Sequence, residues 1–339
     1  MKYSHRAAGS ATVFMLAAAL TGCAAEVEAE ADPNGPVAVV LKTTSNQFWA
    51  TMQDGAEAAG TAAGIEVIVQ SGTAEDSLEE QTTLLQTLAG EDYSCFAVAP
   101  ITGTNLNQVL SQISAEGRGI VNLDSPIEAD AAEAAGINVA TFIASNNYDA
   151  GQKAGAFMIE QLGGSGEVAV IGGIAGDANS EARTSGFIDA AEDGGLTVVQ
   201  QVAADWDRER ALDAATTILE ANPGLGGFYS ANDGMALGVV QATQNLALEG
   251  VVVIGTDGNS DAIDSIADGG LTATVSQYPF AVGQLGVDAR RALAGGATIP
   301  ARVDAPIALI NAENVEQARS SFPQPFEPYD NPFTALITE

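Results

Sequence analysis

From Gly35 onward, short apolar and β-branched runs alternate with longer alanine-rich stretches. VAVVL (37–41) leads into WATMQDGAEAAGTAAG, IEVIVQ (65–70) into DSLEEQTTLLQTLAG, and FAVAP (96–100) into NLNQVLSQISAEG, after which comes GIVNLD (119–124). Unbroken apolar runs of this length predict strands covered on both faces, and the stretches between them are long enough for crossover helices. In DSLEEQTTLLQTLAG, Leu78, Leu85 and Leu88 fall on one helical face, and glycine closes the segment. The order then restarts with EVAVIGG (167–173), EARTSGFIDAAEDGG, LTVVQQ (196–201), DRERALDAATTILEANP, GGFYSAND (226–233), GMALGVVQATQNLALEG and VVVIGTD (251–257). Both halves finish a strand on aspartate, GIVNLD in the first and VVVIGTD in the second. Strand–helix alternation predicts parallel sheets packed between helices, and the restart predicts two similarly built α/β lobes. A single (β/α)8 barrel also suits the number of strands, but not the restart. The closing FPQPFEPYDNPFTALITE, rich in proline and aromatics, is expected to lie over a surface as a tail.

Ahead of this pattern stands MKYSHRAAGSATVFMLAAALTGC. Its apolar stretch, Ala11 to Leu20, is about half the roughly 20 residues that a membrane-crossing helix needs. A charged front with Lys2 and Arg6, a short apolar middle and a small-residue exit describe a secretory signal segment. Leu20, Thr21, Gly22 and Cys23 further resemble the lipobox of bacterial lipoproteins, in which cleavage precedes a cysteine that then carries lipid. The expectation is a signal peptide over 1–22 and a lipidated, acidic tether over 23–36. The chain would then be held through Cys23 at the outer face of the cell membrane, on the periplasmic side where an outer membrane exists.

Charge narrows the partners. Aspartate and glutamate number 44 against 12 lysines and arginines, a balance that repels nucleic acid, whose binding depends on cationic neutralisation of phosphates. The single histidine, His5, leaves with the signal segment, so histidine-based triads, general bases and zinc sites are excluded from the mature chain. Besides Cys23 there is one cysteine, Cys95, at the head of an apolar strand, and a buried free thiol is expected there. DGNSDAIDS (257–265) begins like a calcium loop but has Ala262 where the sharp turn needs glycine. GGIAG (172–176) lacks the spacing of either nucleotide-binding glycine motif. No metal and no cofactor are expected.

Chemistry collects at the strand ends. Lys42 closes the first strand, with Asn46, Phe48 and Trp49 next to it; Asp124 closes GIVNL, and Ser125 follows. In the second half, Arg183 opens a helix, Trp206 follows LTVVQQVAAD, and Asn232, Asp257 and Gln277 each close a strand. Open parallel sheets bind ligands beyond the carboxyl ends of their strands, so facing lobes would set these residues on opposite walls of a cleft. Asparagine and glutamine donate and accept, aspartate accepts, arginine and lysine donate, and the aromatics would cover apolar ring faces. Lys42 and Arg183 against Asp124 and Asp257 leave no formal charge, which suits a neutral polyhydroxylated ligand. Singly, each residue has a plainer role: Asn232 and the aspartates as caps or turn residues, Trp206 as a cover for a helix end, and Arg183 as a partner for Glu181 or another acidic neighbour.

Together, VAVVLKTTSNQFW, IVNLD, GEVAVIGGIAGDANSEAR, ADWDRERALD, SANDGMALGV, VVVIGTDG and TATVSQ resemble segments of the sugar-binding proteins of bacterial ABC importers. The resemblance is to the ribose-binding type, closest within it to the D-allose-binding members, and runs from about Val37 to Val315. It implies the type I periplasmic-binding-protein fold: two α/β lobes with parallel sheets, joined by a three-strand hinge and closing over one monosaccharide. The implied lobes are 37–144 with 277–303, and 145–276 with 304–315, leaving 316–339 as tail. Implied hinge crossings lie near Ala144–Asn146, Val275–Gln277 and Arg302–Ala305.

By the same resemblance, Lys42, Asn46, Asp124, Arg183, Asn232, Asp257 and Gln277 bond the sugar, while Phe48, Trp49 and Trp206 line its ring. The chain departs from the pattern after Asp124. Allose-type members have glutamate there and ribose-type members arginine, where this chain has Ser125 and then Pro126. One edge of the site is thereby changed, which leaves D-allose, ribose, xylose, polyols and furanose signal compounds as ligands. The implied partners are ABC permease subunits, for a binding protein that works as a monomer and is not an enzyme. A secreted carboxylate glycosidase is the contrasting class, using Asp124 and Asp257 across a glycosidic bond.

Overall fold

The structure is a computed structural model that describes residues 35–337. The expected signal peptide, Cys23 and the tether as far as residue 34 lie outside the described residues. In chain order come β1 (Val37–Thr43), α1 (Gln47–Ala63), β2 (Val67–Gly72), α2 (Leu78–Ala89), β3 (Cys95–Val98), α3 (Asn107–Ala115), β4 (Gly119–Leu123), α4 (Ala129–Ala134) and β5 (Thr141–Ser145). The second lobe follows with α5 (Asn147–Leu162), β6 (Gly166–Gly172), α6 (Ala178–Asp193), β7 (Leu196–Ala203), α7 (Arg208–Ala221), β8 (Gly227–Ser230), α8 (Asp233–Asn245), β9 (Val252–Asp257), α9 (Ser260–Ala267) and β10 (Ala273–Ser276). The chain returns to the first lobe for α10 (Pro279–Ala294) and β11 (Arg302–Ala305), then crosses again for β12 (Ala308–Asn311) and α11 (Val315–Ser321).

Two six-stranded sheets result, ordered β11-β5-β4-β3-β1-β2 and β12-β10-β9-β8-β6-β7. Each reverses its winding between the first and third strands of its lobe, so each has a switch point where a crevice opens beyond the carboxyl ends. The second sheet is not wholly parallel, because β12 runs antiparallel to β10. The third crossing also differs from expectation. Residues 302–305 are paired with β5 in the first sheet, so the chain changes lobes in the two residues that follow, Pro306 and Ile307.

The strands are uniformly apolar because both faces are covered. Val37, Val39 and Leu41 belong to one core cluster with Trp49, Met52 and Leu285, while Ala38 and Val40 belong to another with Leu85, Leu110 and Ile113. On α2 the inward row is Gln81, Leu85 and Leu88, and Leu78 is 42% exposed. Gln81 takes the inward position because polar backbone needs it there. Its amide donates to Leu41 O at 3.2 Å and Ala99 O at 2.8 Å, and accepts from Ile101 N at 3.1 Å, satisfying strand-end groups that would otherwise be buried unpaired.

The closing segment is more than a surface tail. Phe322 and Phe326 pack on the second lobe's core, and Tyr329, Leu336 and Ile337 pack on the first. Phe333 is itself fully buried in the first lobe.

Candidate functional site

The two sheets point their carboxyl ends at each other, and a small cavity lies between them. Lys42, Asn46, Phe48, Trp49, Glu75 and Asp124 line it from the first lobe, with Asp177, Asn179, Arg183, Trp206, Asn232 and Asp257 from the second. Nine of the sequence-derived candidates therefore meet in one place. The remaining two sit just behind. Ser125 donates to Asp124 Oδ2 at 2.9 Å and faces a neighbouring pocket, and Gln277 donates through Nε2 to Asp257 Oδ1 at 2.6 Å.

Local structure explains how each side chain is presented. Asn46 caps α1, accepting from Phe48 N at 3.0 Å, which starts the helix where Phe48 and Trp49 turn inward and meet edge to face. Asn232 caps α8 through Met235 N at 2.8 Å, so capping and a place in the cavity are compatible duties. Arg183 is held by Asn147 Oδ1 at 2.8 Å, Ala231 O at 2.6 Å and Asp257 Oδ1 at 3.2 Å, and not by Glu181. Its guanidinium carbon sits 5.6 Å from the centre of the Trp206 ring. The helix pair behind it packs with backbone almost touching: a Cβ on Gly151 of α5 would strike the carbonyl of Arg183. Gly173 is required for a similar reason, since a Cβ there would fall inside the Trp206 indole.

Backbone strain concentrates here. Among the described residues, six that are not glycine take positive φ: Asp124 (φ 55°), Asp205 (φ 52°), Trp206 (φ 63°), Asp257 (φ 131°) and Tyr278 (φ 52°), with Ala247 (φ 51°) away from the cavity. Such conformations cost on the order of 1–3 kcal/mol each and cluster where a side chain must be aimed. Asp124, Trp206 and Asp257 are cavity residues, so the strain coincides with presentation of the site.

Burial dominates the electrostatics. It pushes the Asp257 carboxyl up to about 7, against the opposing effect of Arg183 and Gln277. It also raises Asp124, opposed by Lys42 and Arg183, and Glu75, opposed by Lys42 and by bonds from Asn46 and Trp49. Asp233, buried beneath Asp257, is raised well above its usual value by burial and then by the Asp257 charge. Asp233 accepts from Gly258 N and Asn259 N, both at 2.8 Å, and from Thr274 Oγ1 at 2.6 Å, and so holds the turn that follows Asp257.

Two side-chain pairs join the lobes across the cavity among the described residues. Lys42 Nζ lies 3.4 Å from Asp177 Oδ2, and Asn179 Nδ2 donates to Asp124 Oδ2 at 2.9 Å and also reaches the Asp124 carbonyl at 3.4 Å. Outside the cavity, Gln47 Nε2 donates to Ser260 Oγ at 2.8 Å. The cavity's volume is only about 30 Å³, and outer pockets of about 870 Å³ and 420 Å³ adjoin it. Glu75, Asp177, Asn179 and Asn147 were missed from sequence. Asp177 and Asn179 stand in the quoted GDANSEAR segment but look like ordinary helix-start residues, and Glu75 lies in a loop with no periodicity to mark it.

A family model described as "Periplasmic binding protein domain" matches residues 37–298. The D-allose-binding periplasmic protein of Escherichia coli K12 is 40% identical over 253 residues, spanning 74% of this chain and 81% of that protein. The ribose import binding protein RbsB of Bacillus subtilis 168 is 29% identical over 297 residues, spanning 86% and 94%. Among solved structures, an ABC transporter periplasmic solute-binding protein from Actinobacillus succinogenes 130z with bound D-allose superposes with a TM-score of 0.79. Its identity is 28%, with coverage of 83% of this chain and 99% of that one.

Proposed function

We infer the function from the premise that this chain belongs to the periplasmic binding protein family. It is an extracytoplasmic sugar-binding protein of an ABC importer, a carrier and not an enzyme, which delivers a neutral monosaccharide of the allose or ribose kind to its permease. One observation carries the reading: charged and amide groups at the carboxyl ends of both sheets converge on one cavity beside Phe48, Trp49 and Trp206. Alternating donors and acceptors match hydroxyls, and the aromatic faces match the C–H faces of a sugar ring.

In this reading Asn46, Asp124, Arg183, Asn232 and Asp257 bond sugar hydroxyls directly, Lys42 donates, and Gln277 and Ser125 hold the two aspartates. A pyranose does not enter a cavity of about 30 Å³ unless the lobes part. Sugar hydroxyls then replace the Asn179–Asp124 and Lys42–Asp177 contacts, and the three crossings between lobes act as the hinge. We further propose that Cys23 carries the lipid that holds the chain at the membrane, with the acidic tether giving reach. The direct test is a thermal-shift screen of aldoses, ketoses and polyols, followed by calorimetry on the hits. Tight binding of an anionic or apolar compound, with no sugar or polyol response, would overturn the sugar reading.

A further inference from the structure

The charges that line the cavity do not balance once the residues missed from sequence are included. Lys42 and Arg183 face Glu75, Asp124, Asp177 and Asp257. Lys42 is engaged by Asp177 and Arg183 by Asp257. Asp124 is held by the neutral donors Ser125 and Asn179. Glu75 is held by Asn46 Nδ2 at 2.9 Å and by the Trp49 indole N–H at 2.9 and 3.1 Å. The acceptor surplus extends further, because the side-chain oxygen of Gln277, beside Asp257, is buried without a hydrogen-bond partner among the described residues.

Position singles out Glu75. Together with Trp206 it borders the inner cavity and both outer pockets, so its carboxylate stands where the three spaces meet. Among the described residues Oε1 accepts two bonds and Oε2 only the longer one from Trp49, and a carboxylate oxygen has room for more than one donor.

We propose that Glu75 is a specificity-determining residue that selects ligands by charge, so that the site takes aminodeoxy monosaccharides as well as neutral ones and excludes sugar acids. The proposal rests on the sugar-binding reading. A ligand ammonium would supply the cation that the surplus carboxylates lack, whereas a ligand carboxylate would add a like charge in a poorly solvated space.

The test is calorimetry on the purified full chain at pH 7.5 with D-allose, 2-amino-2-deoxy-D-allose and D-alluronate, repeated on Glu75→Gln. Glutamine keeps one oxygen to accept from Asn46 and Trp49, removes the charge and puts an amide NH2 in place of the other oxygen. The parent should bind the amino sugar at least as tightly as D-allose, and the uronate at least about a hundredfold more weakly. Glu75→Gln should reduce the preference for the amino sugar over D-allose by about tenfold or more, with an unchanged far-ultraviolet circular dichroism spectrum as the control for folding. An unchanged preference in Glu75→Gln overturns the assignment while sugar binding stands. Uronate bound by the parent as tightly as D-allose overturns it without any variant. A parent that responds to none of the three overturns this proposal, and the screen of aldoses, ketoses and polyols decides separately whether the sugar reading falls with it.

Discussion

Asp257 shows how much one residue in this site is asked to do. It sits at φ 131°, is buried, and accepts from both Arg183 and Gln277. Its carboxyl titrates at about 7 in the folded chain, against about 3.8 when unfolded. Between those values the folded state holds a proton that the unfolded state releases, so stability falls as pH rises through that window and levels off above it. Unfolding temperatures recorded from pH 5 to pH 8 should therefore decline, and Asp257→Asn should flatten the decline; an identical slope in the variant would contradict the burial effect assigned to this carboxyl. Arg183 is the counterpart. Its removal strands Asp257 and empties the bonds to Asn147 and Ala231, so Arg183→Ala should cost about 3–5 kcal/mol in denaturant unfolding. Arg183→Lys would not restore it, because an ammonium lacks the fork that reaches three partners.

At the scale of elements, the start of α6 carries a contact between the lobes at the site. Its first turn supplies Asp177, which caps the helix through Ser180 N at 2.9 Å and reaches Lys42 of the other lobe at 3.4 Å. Asp177→Asn keeps a capping oxygen and deletes the charge. Helix stability should hardly change, but the closed arrangement should lose population, seen as a larger radius of gyration in sugar-free solution. A radius equal to the parent's would show that the ion pair does not bias closure. The closing segment offers a separate check on packing. Phe333 fills the first lobe's core beside Val287 and Ala289, and Phe333→Ala should cost about 3–5 kcal/mol, where a side chain merely resting on the surface would cost almost nothing.

For the whole molecule the controlling facts are two lobes in contact and a formal net charge of −32. Small-angle scattering should show compaction when a bound sugar is added, because only a ligand touching both walls favours the closed form over the open one. Equal compactness with and without sugar would count against closure. Self-repulsion of so acidic a surface should weaken with added salt, raising the unfolding temperature by a few degrees between dilute buffer and about 0.15 M salt. Replacing Cys23 with alanine should move the mature protein from the membrane to the soluble fraction, which tests the anchor independently of the fold.

The sequence by itself determined the alternation of strands and helices and the pairing of two like lobes. Strands buried on both faces must be apolar at every position, as VAVVL is, and helices between them must repeat every third or fourth residue. It also determined most of the cavity, because a residue that closes a parallel strand is placed at the crevice by topology alone; Lys42, Asp124, Asn232 and Asp257 were legible for that reason. Tertiary structure decided what local pattern does not encode. Gln81 joined the inward row of α2 because strand-end carbonyls needed a donor, while Leu78, at the first position of the helix, stayed exposed. Residues 302–305 became a sixth strand through pairing with β5, which moved the third crossing to Pro306 and Ile307. The closing segment went into the core at Phe333, because the first lobe left an apolar space that only a distant part of the chain could fill. The charge balance changed most. From strand ends alone it came to zero, but folding brought Glu75 from a loop and Asp177 from a helix cap to the same cavity, and their contribution depends on which lobe faces which.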